Sequence, residues 1–294
     1  MRIKDLIKSI VPATYRKIDK SEIRLMKKID TLTWYQERIF DFACYSEILY
    51  EAKDIHEKNF RKYKNYFKGR DIAVIGTGPT LDKWEPFETC IQMGVNSTIF
   101  SEKLRLDYLF IQDYNPVTFE RIKQALKDEK NSNCKVFAGL HYLSYVKSIP
   151  LNEIEAINAE QYFFYDGHKA DFFPWDYTLD ISAKPFMAYY SIISIPLQFA
   201  LYTHPKRIYI VGCDCSGGSH YSNDENIFEW PDYYVQNLIN GWEKFKDFAS
   251  RFYPDVDIVS INPVGLKGLF RDMYTEEYLI EHPEINRNEI EIIK

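Results

Sequence analysis

The stretch DIAVIGTGPTLDKW, residues 71–84, decides the fold and raises the first functional question. Its first five residues are largely apolar, and Gly76-Thr77-Gly78-Pro79-Thr80 follows them directly. A short apolar run that stops at glycine and proline is typical of a buried strand that ends in a tight turn. The chain has only 12 glycines, so two of them at this point indicate a loop with a specific backbone requirement.

Five further apolar runs follow this strand and alternate with helical patterns. The runs lie at 94–100, 107–113, 134–140, 207–214 and 257–263, and the helical patterns at 117–130, 184–202 and 231–253. Strands that are apolar on both faces and alternate with helices are typical of parallel sheets that are covered on both sides. The sequence therefore predicts an α/β fold, with a Rossmann-like, mainly parallel sheet and helices on both faces.

Two regions fall outside this alternation. Residues 21–66 carry apolar side chains at helical spacing among many charges, so one long or two shorter helices are expected before the sheet. We expect a helical segment over 1–68 and the Rossmann-like domain over 69–294. Residues 160–185 are aromatic and acidic and fit neither period, which predicts a lid or binding insert.

Charge is unevenly distributed along the chain. The net charge is -6, which argues against a nucleic-acid partner, yet residues 1–28 hold nine basic side chains against three acidic ones. Ile3, Leu6, Ile7 and Ile10 share one face of a helix there. Two interpretations remain open: a basic amphipathic helix on an anionic membrane surface, or a terminal helix docked on its own domain.

The expected compartment is the cytoplasm. No apolar stretch reaches the ~20 residues of a membrane span, and no secretory leader pattern opens the sequence. The five cysteines are odd in number and scattered, which fits a reducing compartment. Cys213 and Cys215 are spaced too closely for the usual zinc arm and have no partner pair, so no metal site is expected.

The first strand end, Gly76-Thr77-Gly78-Pro79, has the composition of a phosphate-binding loop. Glycines let a ligand approach the backbone amides, and the threonine adds a hydroxyl. Leu81 occupies the place of a third glycine, and no Lys-Ser/Thr pair follows, which disfavours nicotinamide cofactors and P-loop ATP hydrolysis. A plain strand-to-turn connection is the alternative.

The second and third strand ends are also polar. Asn96 and Ser97 interrupt an apolar run, and Asp113 ends the next one, ahead of Asn115-Pro116. An amide side chain both donates and accepts, so Asn96 suits a base or ribose, or else a turn. Asp113 suits a general base or a ribose contact, or else the N-cap of the following helix.

The fourth strand end combines an acid, a base and a ring within ten residues. Gly212-Cys213-Asp214 closes a strand that should be central, and a glycine-rich loop with Ser216, His220 and Tyr221 follows. Ligands gather outside the carboxyl ends of the strands in open parallel sheets, so these four strand ends are the expected site. His220 is either the general base or an ordinary loop histidine.

The order of these strand ends resembles a known superfamily. Ile75-Gly76-Thr77-Gly78-Pro79-Thr80-Leu81, then the Asn96 strand, then Ile208-Tyr209-Ile210-Val211-Gly212-Cys213-Asp214 is similar to bacterial sialyltransferases of the Campylobacter lipooligosaccharide type. The pattern also resembles motility-associated-factor glycosyltransferases and 6-hydroxymethylpterin pyrophosphokinase-like proteins. The similarity covers about residues 71–270 and implies a GT-A-like variant of the fold.

The resemblance implies a CMP-sugar donor as substrate, with no separate cofactor and no metal. Thr77 falls where the sialyltransferases have an asparagine near the nucleotide phosphate, and Asn96 falls on a second such asparagine. Asp113 replaces a third. Ser191 lies near the serine that opens the helix facing the donor. Tyr221 lies near one of two tyrosines that hold the leaving phosphate, and Ser216 stands near the place of the other.

The catalytic base of the sialyltransferases has no counterpart at the matching position of this sequence. A gap-free count places the family's catalytic histidine near Asn237, and no histidine occurs between His220 and His282. The catalytic group is then His220 or Asp113, and Tyr221 assists the leaving group. The implied partners are the nucleotide-sugar donor and an oligosaccharide or lipid-linked glycan acceptor in bacterial surface polysaccharide synthesis. A homo-oligomer is a further expectation.

Two other functions stay open. The pyrophosphokinase-like relatives imply diphosphate transfer from ATP to a pterin, which needs magnesium and paired carboxylates, for which Asp82, Asp113 and Asp214 are the candidates. A nucleotide-binding protein that has lost the catalytic base is the third possibility.

Overall fold

A computed structural model describes residues 13–141, 149–166, 177–189, 191–216 and 231–293. The chain divides into two compact units, residues 1–50 and 51–294. A single helix, α1 (Ala13–Phe60), runs through the end of the first unit and the start of the second. The sequence left open one helix or two, and the structure has one. None of the helices in the described ranges is long and apolar enough to cross a membrane.

The second unit is built on a ten-stranded sheet in which every neighbouring pair is parallel. The strands are β1 (Asp71–Ile75), β2 (Ile91–Val95), β3 (Tyr108–Ile111), β4 (Lys135–His141), β5 (Glu160–Asp166), β6 (Phe186–Ala188), β7 (Arg207–Val211), β8 (Asp257–Ile261), β9 (Arg271–Tyr274) and β10 (Glu291–Ile292). Their order is β10-β9-β8-β7-β1-β2-β3-β4-β5-β6. The predicted Rossmann-like α/β class is confirmed.

Five helices follow α1 in the described parts of the chain. They are α2 (Pro116–Ala125), α3 (Leu151–Ala156), α4 (Ser194–Tyr202), α5 (Asp232–Phe252) and α6 (Glu276–Glu281). Every residue of α4 is buried, which explains why it is apolar all round its axis. α2 begins at Pro116 because Asn115 caps it, its side chain accepting from the amides of Val117 and Thr118.

The sheet has a topological switch point at β1. The chain continues from β1 to β2 on one side, and it returns from β6 through α4 to place β7 on the other side. The loops after β1 and β7 therefore leave the sheet as neighbours. A crevice at such a switch point, outside the carboxyl ends of the strands, is where open α/β sheets bind ligands.

The two faces of the sheet carry different cores. On one face, Phe60 from the end of α1 contacts Phe137 of β4 and Phe199 of α4, with ring centroids 5.2 and 6.1 Å away. On the other face, Phe119 and Ile122 of α2 join a cluster of aliphatic residues from β1, β3 and β4. The aromatic share of the sequence is thus largely explained by packing.

His56 fixes the end of α1 to the sheet. Its Nδ1 lies 2.7 Å from the carbonyl oxygen of Ile181, and its Nε2 accepts from the amide of Phe163 at 2.7 Å. This pair of partners sets the neutral tautomer with the proton on Nδ1. Burial lowers the pKa of His56 to about 4, against the raising effect of its backbone contacts.

The structure departs from the predicted elements at several places. The run 94–100 is not a strand: β2 ends at Val95, and residues 96–100 form a 3-10 turn. The pattern 184–202 holds both β6 and α4. Residues 160–166, predicted as the start of a lid, form β5, because Tyr162 and Phe164 pack into the core. The strands β6, β9 and β10 are two to four residues long and too short to show a period.

Candidate functional site

The loops after β1 and β7 are joined by two backbone hydrogen bonds at the switch point. The amide of Gly76 donates to the carbonyl oxygen of Val211, and that of Gly78 donates to Gly212, both at 2.8 Å. These two amides are therefore already satisfied within the protein. We predicted that the amides of Gly76 and Gly78 hold a phosphate. The structure corrects this, because an N–H group that already donates to a backbone carbonyl is not available to an anion.

The glycines are explained by the closeness of this joint. A Cβ at Gly76 would lie 2.4 Å from the carbonyl oxygen of Gly212, and one at Gly78 would lie 2.4 Å from Oδ2 of Asp214. Gly212 has a φ of +60°, a left-handed conformation that other residues rarely adopt. The Gly-x-Gly and Gly-x-Asp sequences are thus two halves of one interlocked turn.

Asp214 is the centre of this joint. Its side chain is buried and accepts two hydrogen bonds from Thr80, one from the amide at 3.1 Å and one from the hydroxyl. Burial raises the pKa of Asp214, and the two Thr80 contacts act in the opposite direction. The strand before Asp214 was expected to be central, and β7 lies inside the sheet between β8 and β1. The observed partners of Asp214 are those of a residue that shapes the loop.

Asn96 and Asp113 form a second polar pair, at the ends of β2 and β3. Asn96 Nδ2 donates to Oδ2 of Asp113 at 3.1 Å, and Asn96 Oδ1 accepts from the amide of Gln112 at 3.2 Å. Asn96 has a φ of 42°, which lets its side chain turn back across the strand ends. The sequence predicted each residue separately, and the structure brings them into contact.

Asp113 is an exposed carboxylate whose pKa is nevertheless raised. Surrounding protein desolvates it and raises the pKa, while the hydrogen bond from Asn96 lowers it less. The alternative role of Asp113 as helix N-cap is wrong, because Asn115 caps α2. An exposed carboxylate with a raised pKa, held by an amide at a strand end, has the properties of a general base.

The remaining predicted residues lie along the same edge. Thr77 and Ser97 are half-buried, and both interact with other groups of the protein. Pro79 and Ser216 are exposed. Cys213 donates its thiol to the carbonyl oxygen of Val211 at 3.4 Å, and burial raises its pKa well above the usual thiol range, so it is not a reactive thiolate.

Ser191 stands just before α4, whose N-terminus faces the carboxyl edge of the sheet. Its hydroxyl accepts weakly from the amide of Ile193 at 3.4 Å, and its carbonyl accepts from the hydroxyl of Ser194 at 2.8 Å. Ser194 also donates to Met187 and is buried. Ser191 is the half-buried member of the two, so it is the one that a ligand at this edge can reach.

His220 and Tyr221, which the sequence places in the glycine-rich loop after Asp214, lie outside the described residues. Residues 167–176 of the predicted aromatic insert also lie outside the described residues. Asn237, the position of the expected histidine, lies half-buried in the first half of α5. That part of α5 packs on residues near α4: Tyr177 donates to the carbonyl oxygen of Gly241 at 3.0 Å, and a Cβ at Gly241 would lie 2.5 Å from that of Tyr189.

Two residues of this edge were not identified from the sequence, and Thr80 is the first. It stands inside the quoted stretch, but its role depends on Asp214, 134 positions later, and spacing gives no sign of that pairing. Gln112 is a second: its side chain is buried next to Asp113, and its Oε1 has no hydrogen-bond partner. A polar residue at a predicted strand end was the only available signal for either.

Among the described residues, no three His, Cys, Asp or Glu side chains are grouped as a metal ion requires. A cavity of about 680 Å³ lies away from the strand-end residues, at the opposite, amino edge of the sheet, lined by Lys58, Asn59, Lys135, Asn158 and Glu160 among others. The switch-point rule and the polar strand ends favour the carboxyl edge as the ligand site.

Comparison with known proteins gives a likeness to a solved structure. No protein-family model matches the chain, and no curated protein matches it in sequence. The structure is similar to that of the MAf glycosyltransferase from Magnetospirillum magneticum AMB-1, with a TM-score of 0.40 and 11% sequence identity. The match covers 77% of this chain and 38% of that protein, so this chain spans well under half of its length.

Proposed function

We propose that the chain is a glycosyltransferase that moves a sugar from a nucleotide-sugar donor to a glycan acceptor. The donor proposed is a CMP-activated, sialic-acid-like keto sugar. The observation that carries the proposal is the meeting of two polar groups at the switch point: the interlocked loops Gly76–Thr80 and Gly212–Asp214, and beside them the Asn96–Asp113 pair. The order of the strand-end motifs in the sequence supports the donor class.

The interlocked loops have a structural part in this site. The amides of Gly76 and Gly78 donate to the carbonyl oxygens of Val211 and Gly212, and the Asp214 carboxylate accepts from Thr80. They hold the floor of the crevice rigid, so that hydroxyl and amide side chains along the edge meet the nucleotide. Thr77, Asn96, Ser97 and Ser191 are the proposed nucleotide contacts.

Asp113 is the proposed general base among the described residues. The acceptor hydroxyl attacks the anomeric carbon, a new C–O bond forms, and the bond from that carbon to the phosphate oxygen breaks. The hydroxyl proton passes to the Asp113 carboxylate, and CMP leaves with the electron pair. Asn96 orients Asp113 through the 3.1 Å hydrogen bond. His220 stays the alternative base, and Tyr221 the proposed donor to the departing phosphate.

No metal is required by this scheme, because the leaving group is a single phosphate monoester. Metal independence therefore stays part of the proposal, and so do the cytoplasmic location and the glycan acceptor in surface polysaccharide synthesis. Peripheral contact with the membrane would depend on residues 1–28, of which the first twelve lie outside the described residues.

Pterin pyrophosphokinase-like chemistry is the weaker candidate. It requires paired carboxylates that are open to magnesium, and Asp214 already accepts from both the amide and the hydroxyl of Thr80. Asp82 is exposed, and its carbonyl oxygen accepts from Lys103. Of the three, Asp82 and Asp113 are exposed, whereas Asp214 is buried and held by Thr80.

Thermal unfolding of the full chain with CMP, CDP, UDP and ATP, each with magnesium or a chelator, tests the proposal. We expect CMP to raise the melting temperature equally in both conditions, since a ligand of the folded state stabilises it in proportion to its affinity. A magnesium-dependent rise with ATP alone would favour the pyrophosphokinase. CMP binding together with no turnover of any CMP-sugar would favour a binding protein.

A further inference from the structure

The first half of α1 carries an exposed apolar stripe. Leu25, Ile29 and Leu32 follow one another at the i, i+4, i+7 spacing of one helix face, and their exposed fractions are 59, 50 and 67%. In the sequence, Ile18 precedes Leu25 by seven positions and Ile39 follows Leu32 by seven. This seven-residue repeat is the pattern of a helix that packs along a second helix.

The charge of the helix changes sign along this stripe, while the stripe itself continues. Residues 13–28 hold six basic and two acidic side chains, and residues 29–49 hold one basic and four acidic ones. An anionic membrane surface would attract the first half and repel the second. A partner that satisfies both halves needs an acidic half opposite the basic one.

We propose that residues 13–49 of α1 pair with the same segment of a second copy, in antiparallel orientation, as a two-stranded coiled coil. Aligning Ile29 with Leu32 of the other copy places residues 13–28 opposite residues 33–48. The basic half of each helix then faces the acidic half of the other. A parallel pair would bring like charges together along its whole length.

The pairing segment suits this role in length and composition. Thirty-seven helical residues extend about 55 Å, and an isolated helix with an exposed leucine and isoleucine stripe gains most of its stability from packing. Most of the charged residues lie off the stripe, the exception being Glu22, which precedes Ile29 by seven positions. The charges therefore act as two opposed blocks and not as individual ion pairs. Raised salt should therefore weaken the dimer.

Sedimentation velocity of the full chain at 1–50 μM (about the range of a specific homodimer) tests the pairing. We expect a dimer for the native chain and a monomer for Leu25→Gln/Ile29→Gln/Leu32→Gln, whose dissociation constant should rise by at least ~100-fold because three apolar side chains lose their burial. The control Ile23→Gln/Lys27→Gln/Asp30→Gln changes the opposite face, keeps the net charge, and should remain dimeric. Circular dichroism checks that both variants keep their helix.

Disulfide trapping tests the orientation. Leu25 and Gln36 of opposite copies face each other in the antiparallel register, so Leu25→Cys/Gln36→Cys should form a covalent dimer, and Leu25→Cys alone should not exceed the native chain. Covalent dimer from Leu25→Cys alone would overturn the antiparallel arrangement. A native chain that stays monomeric, and that instead co-sediments with phosphatidylglycerol vesicles, would overturn the pairing in favour of a membrane surface.

Discussion

Asp113 is the residue on which the proposed chemistry depends most. Replacing it with Asn keeps the shape and the contact with Asn96 but removes the proton acceptor. We expect CMP-sugar transfer to fall by about 10²- to 10⁴-fold, with CMP binding retained. Initial rates and CMP melting shifts measure the two effects. Asp247→Asn, at an exposed position of α5, is the control and should be fully active. Full activity of Asp113→Asn would transfer the base role to His220.

The pH dependence of the native chain follows from the same carboxylate. Desolvation raises the pKa of Asp113, and only the ionised form accepts a proton. kcat/KM should therefore fall as the pH drops through a pKa above the ordinary aspartate range. This lower limb should be absent from the residual activity of Asp113→Asn. A limb that survives the substitution belongs to another group.

Thr80 and Asp214 give a prediction about stability. Thr80→Val removes the hydroxyl that donates to the buried carboxylate, and a buried acceptor that loses its donor costs about 1–3 kcal/mol. Urea unfolding measures the loss. Thr80→Ser restores the hydroxyl and should recover most of it. A loss of stability in Thr80→Ser with none in Thr80→Val would mean that the methyl group, and not the hydrogen bond, matters.

His56 makes the attachment of α1 depend on pH. The unfolded chain takes up a proton near pH 6.5, whereas the folded chain resists protonation of His56 until about pH 4. The free energy of unfolding should therefore decrease as the pH falls from 6.5 to 4, by roughly 3 kcal/mol in total from this group. Urea unfolding at several pH values measures this slope.

The matching variant is His56→Gln, which should be less stable at neutral pH and should lack this part of the slope. His282→Gln alters a half-buried histidine just after α6 and should keep this part of the slope. An unchanged slope in His56→Gln would show that the pH dependence arises elsewhere.

Helices and strands could be predicted where a segment was long enough to show a hydrophobic period. β1, β7 and β8 and the helices α2 and α5 lie within a few residues of their predicted positions, because buried parallel strands and amphipathic helices have clear signals. β5 was missed because Tyr162, Phe164 and their neighbours form a run with acidic ends, which suggested a loop. The aromatic share there serves the core, through contacts such as Tyr162 with Phe186 at 5.5 Å.

The site was predictable as a set of strand ends but not as a network. Glycines, Asn96, Asp113 and Asp214 were all identified from sequence, since polar residues after apolar runs meet at one edge of a parallel sheet. Which of these residues contact one another depends on the order of the strands in the sheet. The spacing of residues along the chain does not reveal that order. The glycines turned out to serve the close approach of two loops, so the loop that first suggested a phosphate cradle is the rigid floor beside the proposed ligand.

The molecule as a whole presents two opposite edges that compete for the role of binding site. The carboxyl edge has the interlocked loops and the Asn96–Asp113 pair, and the amino edge has the cavity of about 680 Å³. We assign the nucleotide to the carboxyl edge. A crystal structure of the full chain with CMP decides between them most directly. We expect CMP over the ends of β1 and β2, in contact with Thr77 and Asn96; CMP bound beside Lys58 and Lys135 at the amino edge would contradict this assignment.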